Sequence, residues 1–268
     1  MEVRLENKTV VVTGGSRGIG LETGRLAAAS GADVVLAARR GEVLGAAAES
    51  IAASTGRTVT TVPVDVTVPG DLEVLVARAV EAHGAIDVLV NNAGTGIYKP
   101  FLEVTEEDLG YGMAINFFAQ FRLSQRVVPV MLQGSGGTIV NVSGLTGLRT
   151  LPGPFTSSCT GPAKAAEIQF TKALAAELGP HNIRVNCVVP GRIDAPDRLV
   201  RWGEELLGEP VDEHRAGELR RSWGDRIKLP GHRWGTTGDI ASAIVFLASA
   251  EAGFVTGSVV VVDGGEAT

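Results

Sequence analysis

The sequence predicts a single α/β domain, built as a doubly wound and mostly parallel sheet of seven strands. Three observations carry this prediction: short apolar runs recur along the 268 residues, helical patterns separate them, and the runs show no polar alternation. Strands covered by helices on both faces are apolar throughout, because both of their sides are buried. The length suits one large domain, and no internal repeat or low-complexity linker divides the sequence.

Predicted strands and helices alternate along the chain. The strands are expected at Val10–Thr13, Val34–Ala37, Val59–Val64, Ile86–Asn91, Thr138–Val142, Val185–Val188 and Val259–Val262. The helices are expected near 18–30, 42–55, 70–83, 105–133, 160–179 and 237–249.

The segment 191–236 departs from this alternation, with shorter helical patterns at 197–207 and 212–223. Long excursions in compact domains are often lids, and loops after the carboxyl ends of parallel strands surround the ligand crevice. We therefore expect a substrate lid, with a surface excursion or an oligomer contact as the alternatives. Its tryptophans are expected to form either a pocket roof or a small core: Trp202, Trp223 and Trp234.

Composition and charge narrow the function classes. The net charge of −6 and the lack of a basic block argue against nucleic-acid binding. The first residues carry charges where a signal peptide needs an apolar stretch, and no uncharged apolar run approaches the roughly 20 residues of a membrane span. Cys159 and Cys187 lack metal-ligand spacing and the four histidines are scattered. We therefore expect a cytoplasmic protein with reduced thiols, no membrane partner and no metal.

The most specific local feature is the stretch TVVVTGGSRGIG from Thr9 to Gly20, which predicts a strand, a glycine turn and a helix. Side chains at the glycines would hold the backbone away from a pyrophosphate, and the helix N-terminus favours an anion. The pattern predicts a nucleotide site, with an ordinary tight turn as the alternative. The expected cofactor contacts of this turn are Gly14, Ser16, Arg17, Gly18, Ile19 and Gly20.

The end of the second strand indicates which nucleotide is bound. An NAD site usually carries an acidic residue there, but Asp33 lies at the opposite end of this strand. Arg39 and Arg40 follow the strand instead, and Arg17 adds a third cation. Arginine suits a 2′-phosphate through bidentate bonding, so we expect NADP(H). A solvated pair of charges is the alternative for Arg39 and Arg40.

With these motifs in order, the chain resembles the short-chain dehydrogenase/reductase family over essentially its whole length, which implies a Rossmann-type fold. The matching motifs are TGGSRGIG at 13–20, Asp65-Val66, Asn91–Gly94, Asn116, Asn141–Ser143, Lys164, Asn186, Pro190-Gly191 and Val262–Gly265. The resemblance implies dimers or tetramers, with the C-terminal strand at an interface. It also implies cofactor contacts by Asp65, Val66, Asn92, Ala93, Gly94, Lys164, Pro190, Gly191 and Ile193.

The family's catalytic Asn, Ser, Tyr and Lys are matched only in part. Asn116 and Lys164 remain, whereas Thr160 stands at the position of the Tyr and Gly144, after Ser143, at that of the Ser. An aliphatic hydroxyl is several pKa units less acidic than a phenol, whose reference pKa is about 10. The expected catalytic set is therefore degenerate: Asn116, Ser143, Thr160 and Lys164. The alternative for Thr160 is a helix N-cap, and for Asn116 a structural hydrogen bond.

Three functions fit this pattern. The favoured one is reduction of an activated C=C or C=O bond of a small molecule, because the nucleotide turn is intact and an enolate is easier to protonate than an alkoxide. Part of the sequence near Lys164 resembles the dienoyl-CoA reductase branch. Water on Lys164 or Asn116, or Tyr98 as a proton donor, would complete that reaction. The alternatives are a non-redox enzyme on the same scaffold and a cofactor-binding but silent subunit of a hetero-oligomeric reductase.

Overall fold

The computed structural model describes residues 3–151, 157–195 and 211–268. The predicted doubly wound sheet is confirmed: its seven strands run parallel in the order β3-β2-β1-β4-β5-β6-β9. These strands are β1 Thr9–Thr13, β2 Asp33–Ala38, β3 Val59–Pro63, β4 Val88–Asn91, β5 Gly137–Val142, β6 Ile183–Pro190 and β9 Val259–Val262. Two short strands, β7 Ile193–Asp194 and β8 Gly235–Thr236, pair outside this sheet.

Helices cover both faces of the sheet. They are α1 Gly18–Ala29, α2 Gly41–Thr55, α3 Pro69–His83, α4 Glu106–Met113, α5 Ala119–Gln133, α6 Thr160–Leu178, α7 Glu213–Gly224 and α8 Thr237–Ala248. One apolar layer packs α1, α2 and α8 against the sheet, and a second packs α3, α5 and α6 against the opposite face. The strands are therefore buried on both sides, which is why their sequences are continuously apolar.

The order of the strands reverses at β1, whose neighbours are β2 on one side and β4 on the other. Val11 pairs with Val35 and with Leu89 across these two neighbours. Chains leaving β1 and β4 turn to opposite faces, so a crevice opens beyond their carboxyl ends. The glycine turn after Thr13 and the turn after Asn91 both lie at this crevice.

The helix predicted over 105–133 is divided in the structure. A π-helix at Ala114–Phe118 separates α4 from α5. Within it, the Asn116 side chain donates to Gly112 O over 2.9 Å. A regular apolar period does not distinguish a π-helical insertion from a continuous helix, so the sequence pattern could not show it.

The segment after β6 forms a unit with its own small core. Helix α7 confirms the helical pattern predicted at 212–223, whereas 197–207 and Trp202 lie outside the described residues. Trp234 and Trp223 pack with apolar side chains of this segment, as the small-core alternative expects. The other members of this cluster are Val211, Ala216, Leu219 and Ile227. Among the described helices, none is both long and apolar enough to cross a bilayer.

Candidate active site

The glycine turn forms a cradle of exposed backbone. Gly14 has a φ of +66°, in the left-handed region that glycine tolerates. A Cβ on Gly20 would lie 2.3 Å from Gly14 O, so a side chain there is sterically excluded. Helix α1 begins at Gly18, and its N-cap residue Arg17 makes no side-chain capping bond. The first N–H groups of α1 thus lack a side-chain cap, as an anion site at a helix N-terminus requires.

Thr13 joins the two strands at the crevice. Its Oγ1 accepts hydrogen bonds from Asn92 N at 3.0 Å and Ala93 N at 3.1 Å. Asn92 Nδ2 in turn donates to Thr13 O over 2.9 Å. Thr13 was not predicted as a site residue, although its place between a buried strand and the first glycine was a usable signal.

Cationic and polar groups follow the next two strands of the sheet. Arg39 and Arg40 are exposed at the carboxyl end of β2, and neither forms an ion pair among the described residues. Asp33 is the first residue of β2 and lies at the other edge of the sheet. After β3, Asp65 Oδ1 accepts from Thr67 N at 2.9 Å, and Val66 is buried beside it.

A pocket at the carboxyl edge of the sheet is lined by eight of the twenty predicted site residues. They come from the glycine turn, the ends of β4, β5 and β6, and the start of α6: Ile19, Asn92, Gly94, Ser143, Thr160, Lys164, Pro190 and Gly191. Gly144, Tyr98 and Arg192 also line this pocket. Other predicted residues do not line this pocket, among them Ala93, Asn116 and Ile193. Asn116 and Ile193 are buried.

Asn116 shapes the backbone that covers Lys164. Its Oδ1 accepts from Thr95 N at 3.1 Å, and its Nδ2 donates to Thr95 O at 3.0 Å. A Cβ on Gly94 would lie 2.8 Å from Asn116 Oδ1 and 3.1 Å from Lys164 Nζ. The absence of a side chain at Gly94 therefore lets the lysine ammonium reach the pocket beside this loop.

Thr160 is the first residue of α6, and the N-cap is Cys159, so the N-cap alternative for Thr160 is wrong. Its Oγ1 accepts a hydrogen bond from Ile97 N at 2.9 Å. Ser157 Oγ donates to Ile97 O and accepts from Thr160 N. These bonds join the loop after β4 to the start of α6, and Tyr98, next to Ile97, forms a wall of the pocket. Because Oγ1 accepts the Ile97 bond, the Thr160 hydroxyl keeps its own proton to donate.

Ser143 connects the end of β5 to α6. Its Oγ donates to Lys164 O over 2.9 Å, and its backbone N donates to Val188 O over 2.9 Å. A hydroxyl has a single proton, so this bond leaves the Ser143 oxygen only as an acceptor toward the pocket.

The ammonium group of Lys164 contacts a buried carboxyl group. Its Nζ donates to Val142 O at 3.2 Å and to Glu167 Oε1 at 3.0 Å. Glu167 is fully buried, and Gln120 Nε2 donates to the same Oε1 over 2.6 Å. Burial raises the pKa of Glu167 to about 7, although the adjacent Lys164 acts in the opposite direction. Glu167 was not predicted as a site residue; its place one helical turn after the lysine was the available signal.

The far wall of the pocket is held by the C-terminal tail. Gly191 N donates to Val262 O at 3.0 Å, and a Cβ on Gly191 would lie 2.6 Å from Asp263 Cα. Arg192 Nε donates to Glu266 Oε1 over 3.1 Å, and both side chains are buried. Desolvation raises the pKa of Glu266 and lowers that of Arg192. The tail thus supports two residues that line the pocket, Gly191 and Arg192, a contact that the strand pattern alone did not reveal.

Known proteins share this arrangement over nearly the whole chain. Residues 14–266 match the family model described as enoyl-(acyl carrier protein) reductase. The chain is 35% identical to 3-oxoacyl-(acyl-carrier-protein) reductase of Chlamydia trachomatis, covering 98% of both chains. It is 31% identical to peroxisomal 2,4-dienoyl-CoA reductase of Danio rerio, covering 97% of this chain and 82% of the relative. The crystal structure of L-sorbose reductase from Gluconobacter frateurii, complexed with NADPH and L-sorbose, has a TM-score of 0.91 at 33% identity, covering 99% and 98% of the two chains.

The doubly wound sheet, the glycine cradle at its switch point and the lysine pocket beside it define an NAD(P)-dependent oxidoreductase. These residues fit a nicotinamide dinucleotide, because a Cβ would close the cradle at Gly20. The chain belongs to the short-chain dehydrogenase/reductase family.

Proposed function

We propose that the protein is an NADP(H)-dependent short-chain oxidoreductase that reduces an activated C=C or C=O bond of a small molecule. The observation that carries the proposal is the pocket itself. An intact nucleotide cradle adjoins Lys164, while Thr160 stands four residues before that lysine. Within this proposal, the segment 191–236 is a substrate lid, and Arg192 is its contribution to the pocket wall.

Charge at the exit of β2 supports NADP(H) over NAD(H). Arg39 and Arg40 are exposed there without a carboxylate partner among the described residues, and Asp33 is at the far end of the strand. A guanidinium forms paired, charge-assisted hydrogen bonds with a phosphate. The solved L-sorbose reductase, by its description, also binds NADPH.

Different residues of the chain have separate roles in such a reaction. A bound nicotinamide supplies the hydride. The N–H groups at the start of α1, which have no side-chain cap, would bind phosphate oxygens. The Lys164 ammonium, which lines the pocket, would bind the ribose. Asn116 holds the loop at Thr95 that covers Lys164. Thr160 has a hydroxyl proton with which to hydrogen-bond a substrate oxygen.

The chemistry of the missing phenol favours an activated substrate. An alkoxide needs a proton from an acid of matched strength, and an aliphatic hydroxyl such as Thr160 is too weak an acid. Reduction of a conjugated C=C bond gives an enolate, whose protonation demands less of the donor. The relative from Danio rerio is named as a 2,4-dienoyl-CoA reductase, in agreement with this substrate class.

A second candidate function is a cofactor-binding, catalytically silent subunit of a hetero-oligomeric reductase. Ser143 Oγ donates its single proton to Lys164 O, so this hydroxyl has no proton to offer to a substrate oxygen. This engagement favours a site that binds the cofactor without turning over. A non-redox reaction on the same scaffold has no observation of its own in its favour.

Steady-state oxidation of NADPH tests the proposal. The purified protein is assayed with enones, enoyl-CoA thioesters and simple ketones, with Lys164→Met as the inactive control. We expect turnover of the conjugated substrates to exceed that of simple ketones by roughly 10²-fold or more, the range associated with a general acid. NADPH binding without turnover of any of these classes favours the silent subunit instead.

The proposal includes a homo-oligomer, either a dimer or a tetramer, in the cytoplasm. Strand β9 is an edge of the sheet, and its Val261 is 39% exposed. Phe118 and Phe121 are exposed beside Phe117 on the surface of the helix pair α4–α5. Apolar surface of this kind is typical of an association site. Light scattering after size exclusion would identify the assembly, and a monomer at micromolar concentration would contradict it.

A further inference from the structure

We propose that Glu167 is a positioning residue that supplies Lys164 with the proton which the pocket delivers to the reduced substrate. The proposal rests on the reductase function proposed above, because it answers how protonation proceeds where the family's phenol is replaced by Thr160. It assigns the acid of the site to a buried Lys–Glu pair.

The geometry places the pair at the floor of the pocket. Lys164 and Glu167 are one turn apart on α6, with Nζ and Oε1 separated by 3.0 Å. An ammonium has three N–H donors, and those of Lys164 reach Glu167 Oε1 and Val142 O. Because Lys164 lines the pocket, its third N–H is available to donate to a substrate there.

The surroundings of Glu167 leave its carboxyl group short of donors. Among the described residues, Glu167 Oε2 is buried without a hydrogen-bond partner, and so is Gln120 Oε1. A buried carboxylate with an unsatisfied oxygen is costly, whereas a protonated carboxyl group has no net charge to solvate. The enclosure therefore favours a proton on Glu167 even beside the Lys164 ammonium.

The titration of the Lys164–Glu167 pair depends on the side chains of the elements packed against it. Cys187 on β6 is a titratable neighbour: burial, with a smaller contribution from Glu167, raises the pKa of that thiol to about 12, so it is uncharged near neutral pH. Gln120 on α5 and Ser143 after β5 are neutral polar neighbours. With a Glu167 pKa of about 7, the pair carries one positive charge below neutrality and none above it.

The proton transfer balances within the pair and the solvent. An N–H bond of Lys164 breaks as its proton passes to the reduced substrate, and the electron pair stays on Nζ. The neutral amine then turns so that its lone pair faces Glu167 Oε1, 3.0 Å away, and the carboxyl proton passes to Nζ as its O–H bond breaks. Lys164 ends as an ammonium and Glu167 as a carboxylate. Because Glu167 is fully buried, the proton that returns it to the neutral form comes from water in the pocket by way of Lys164 Nζ.

A pH–rate profile tests the delivery step. We expect kcat of the wild type to fall as pH rises through about 7, because the carboxyl proton is lost. Glu167→Gln should remove this dependence and lower kcat by roughly 10²-fold, while the Kd for NADPH changes by less than about threefold. Glu167→Asp should restore a titrating limb. Glu177→Gln, at an exposed position of the same helix, is the matched control and should behave as the wild type.

Infrared spectroscopy of the cofactor-free protein tests the proton itself, whether or not a substrate is found. With ¹³C-labelled glutamate, we expect a protonated carboxyl band that disappears as pH rises through about 7 and is missing in Glu167→Gln. A spectrum showing only carboxylate down to about pH 5 would overturn the proposal, as would an unchanged pH–rate limb in Glu167→Gln. A further outcome is a carboxyl band that titrates as expected in a protein that reduces none of the substrates. That outcome rejects the reductase function, and it rejects the delivery step as well, because Glu167 is then only a buried acid.

Discussion

Arg192 Nε donates a hydrogen bond to Glu266 Oε1 over 3.1 Å, and this ion pair is buried. Arg192 follows β6 at the pocket wall, whereas Glu266 belongs to the C-terminal tail. Arg149, from the loop after β5, also bonds to the backbone oxygen of Glu266. One carboxyl-bearing residue of the tail thus connects two loops that border the pocket.

Glu266→Ala should destabilise the protein. It leaves the Arg192 guanidinium buried without this carboxylate, and breaking a buried pair from one side typically costs about 3–5 kcal/mol. We expect roughly 3 kcal/mol in the free energy of unfolding, measured in urea. Glu81→Ala, which breaks the exposed pair with Arg78, is the control and should cost less than about 1 kcal/mol. Equal losses in the two variants would show that the tail pair is not stabilising.

The stability of the protein should depend on Glu167 between about pH 4.5 and 7. Burial raises the pKa of this group from 4.5 to about 7, so the folded protein binds more protons than the unfolded chain in that window. The free energy of unfolding therefore decreases as pH rises through the window. Glu266, whose pKa is also raised, acts in the same direction.

Comparison with Glu167→Gln isolates this contribution. The wild type and the variant are unfolded in urea at a series of pH values. We expect the wild type to lose stability toward pH 7 more steeply than the variant, since glutamine does not titrate. Parallel curves for the two proteins would mean that Glu167 has an ordinary pKa in the folded state.

The alternation of strands and helices and the glycine turn were predictable because both depend on local patterns. Apolar runs of strand length and glycines at fixed spacing can be recognised directly in the sequence, as at Val10–Thr13 and Gly14–Gly20. The contacts below Lys164 were not, because Gln120 and Glu167 are separated by 47 residues and meet only through packing. Nor does the sequence show that Thr160 Oγ1 accepts from Ile97 N, because this bond joins the start of α6 to a loop 63 residues earlier.

Gly20→Ala should reduce cofactor affinity. The added Cβ would lie 2.3 Å from Gly14 O and 2.5 Å from Asn92 Nδ2, so the backbone of the cradle must shift. We expect the Kd for NADPH, from fluorescence titration, to rise at least about tenfold, or about 1.4 kcal/mol. Gly45→Ala in α2, where a Cβ has no atom within 4 Å, should leave the Kd unchanged and stabilise the helix by about 0.5–1 kcal/mol. Similar Kd values for the two variants would argue against a phosphate cradle.

Thr160→Val should destabilise the loop after β4. Valine keeps the shape but removes the acceptor of the Ile97 N–H, and an unsatisfied buried donor costs about 1–3 kcal/mol. Thr160→Ser keeps the hydroxyl and should cost about 1 kcal/mol or less for the lost methyl. Urea unfolding of both variants measures the difference. If serine is as damaging as valine, packing of the methyl group and not the hydrogen bond holds this loop.

Arg39→Ala and Arg40→Ala should weaken NADPH binding without weakening NADH binding. Both side chains are exposed after β2, where a 2′-phosphate is expected, and a hydrogen bond to a charged group contributes about 1.5–3 kcal/mol. Each substitution should therefore raise the Kd for NADPH by roughly 10- to 100-fold. Arg57→Ala removes the same charge from an exposed site before β3 and controls for net charge. Because NADH has no 2′-phosphate, a parallel loss for both cofactors would mean that these arginines act on the fold or the general field, and the assignment of NADP(H) would be wrong.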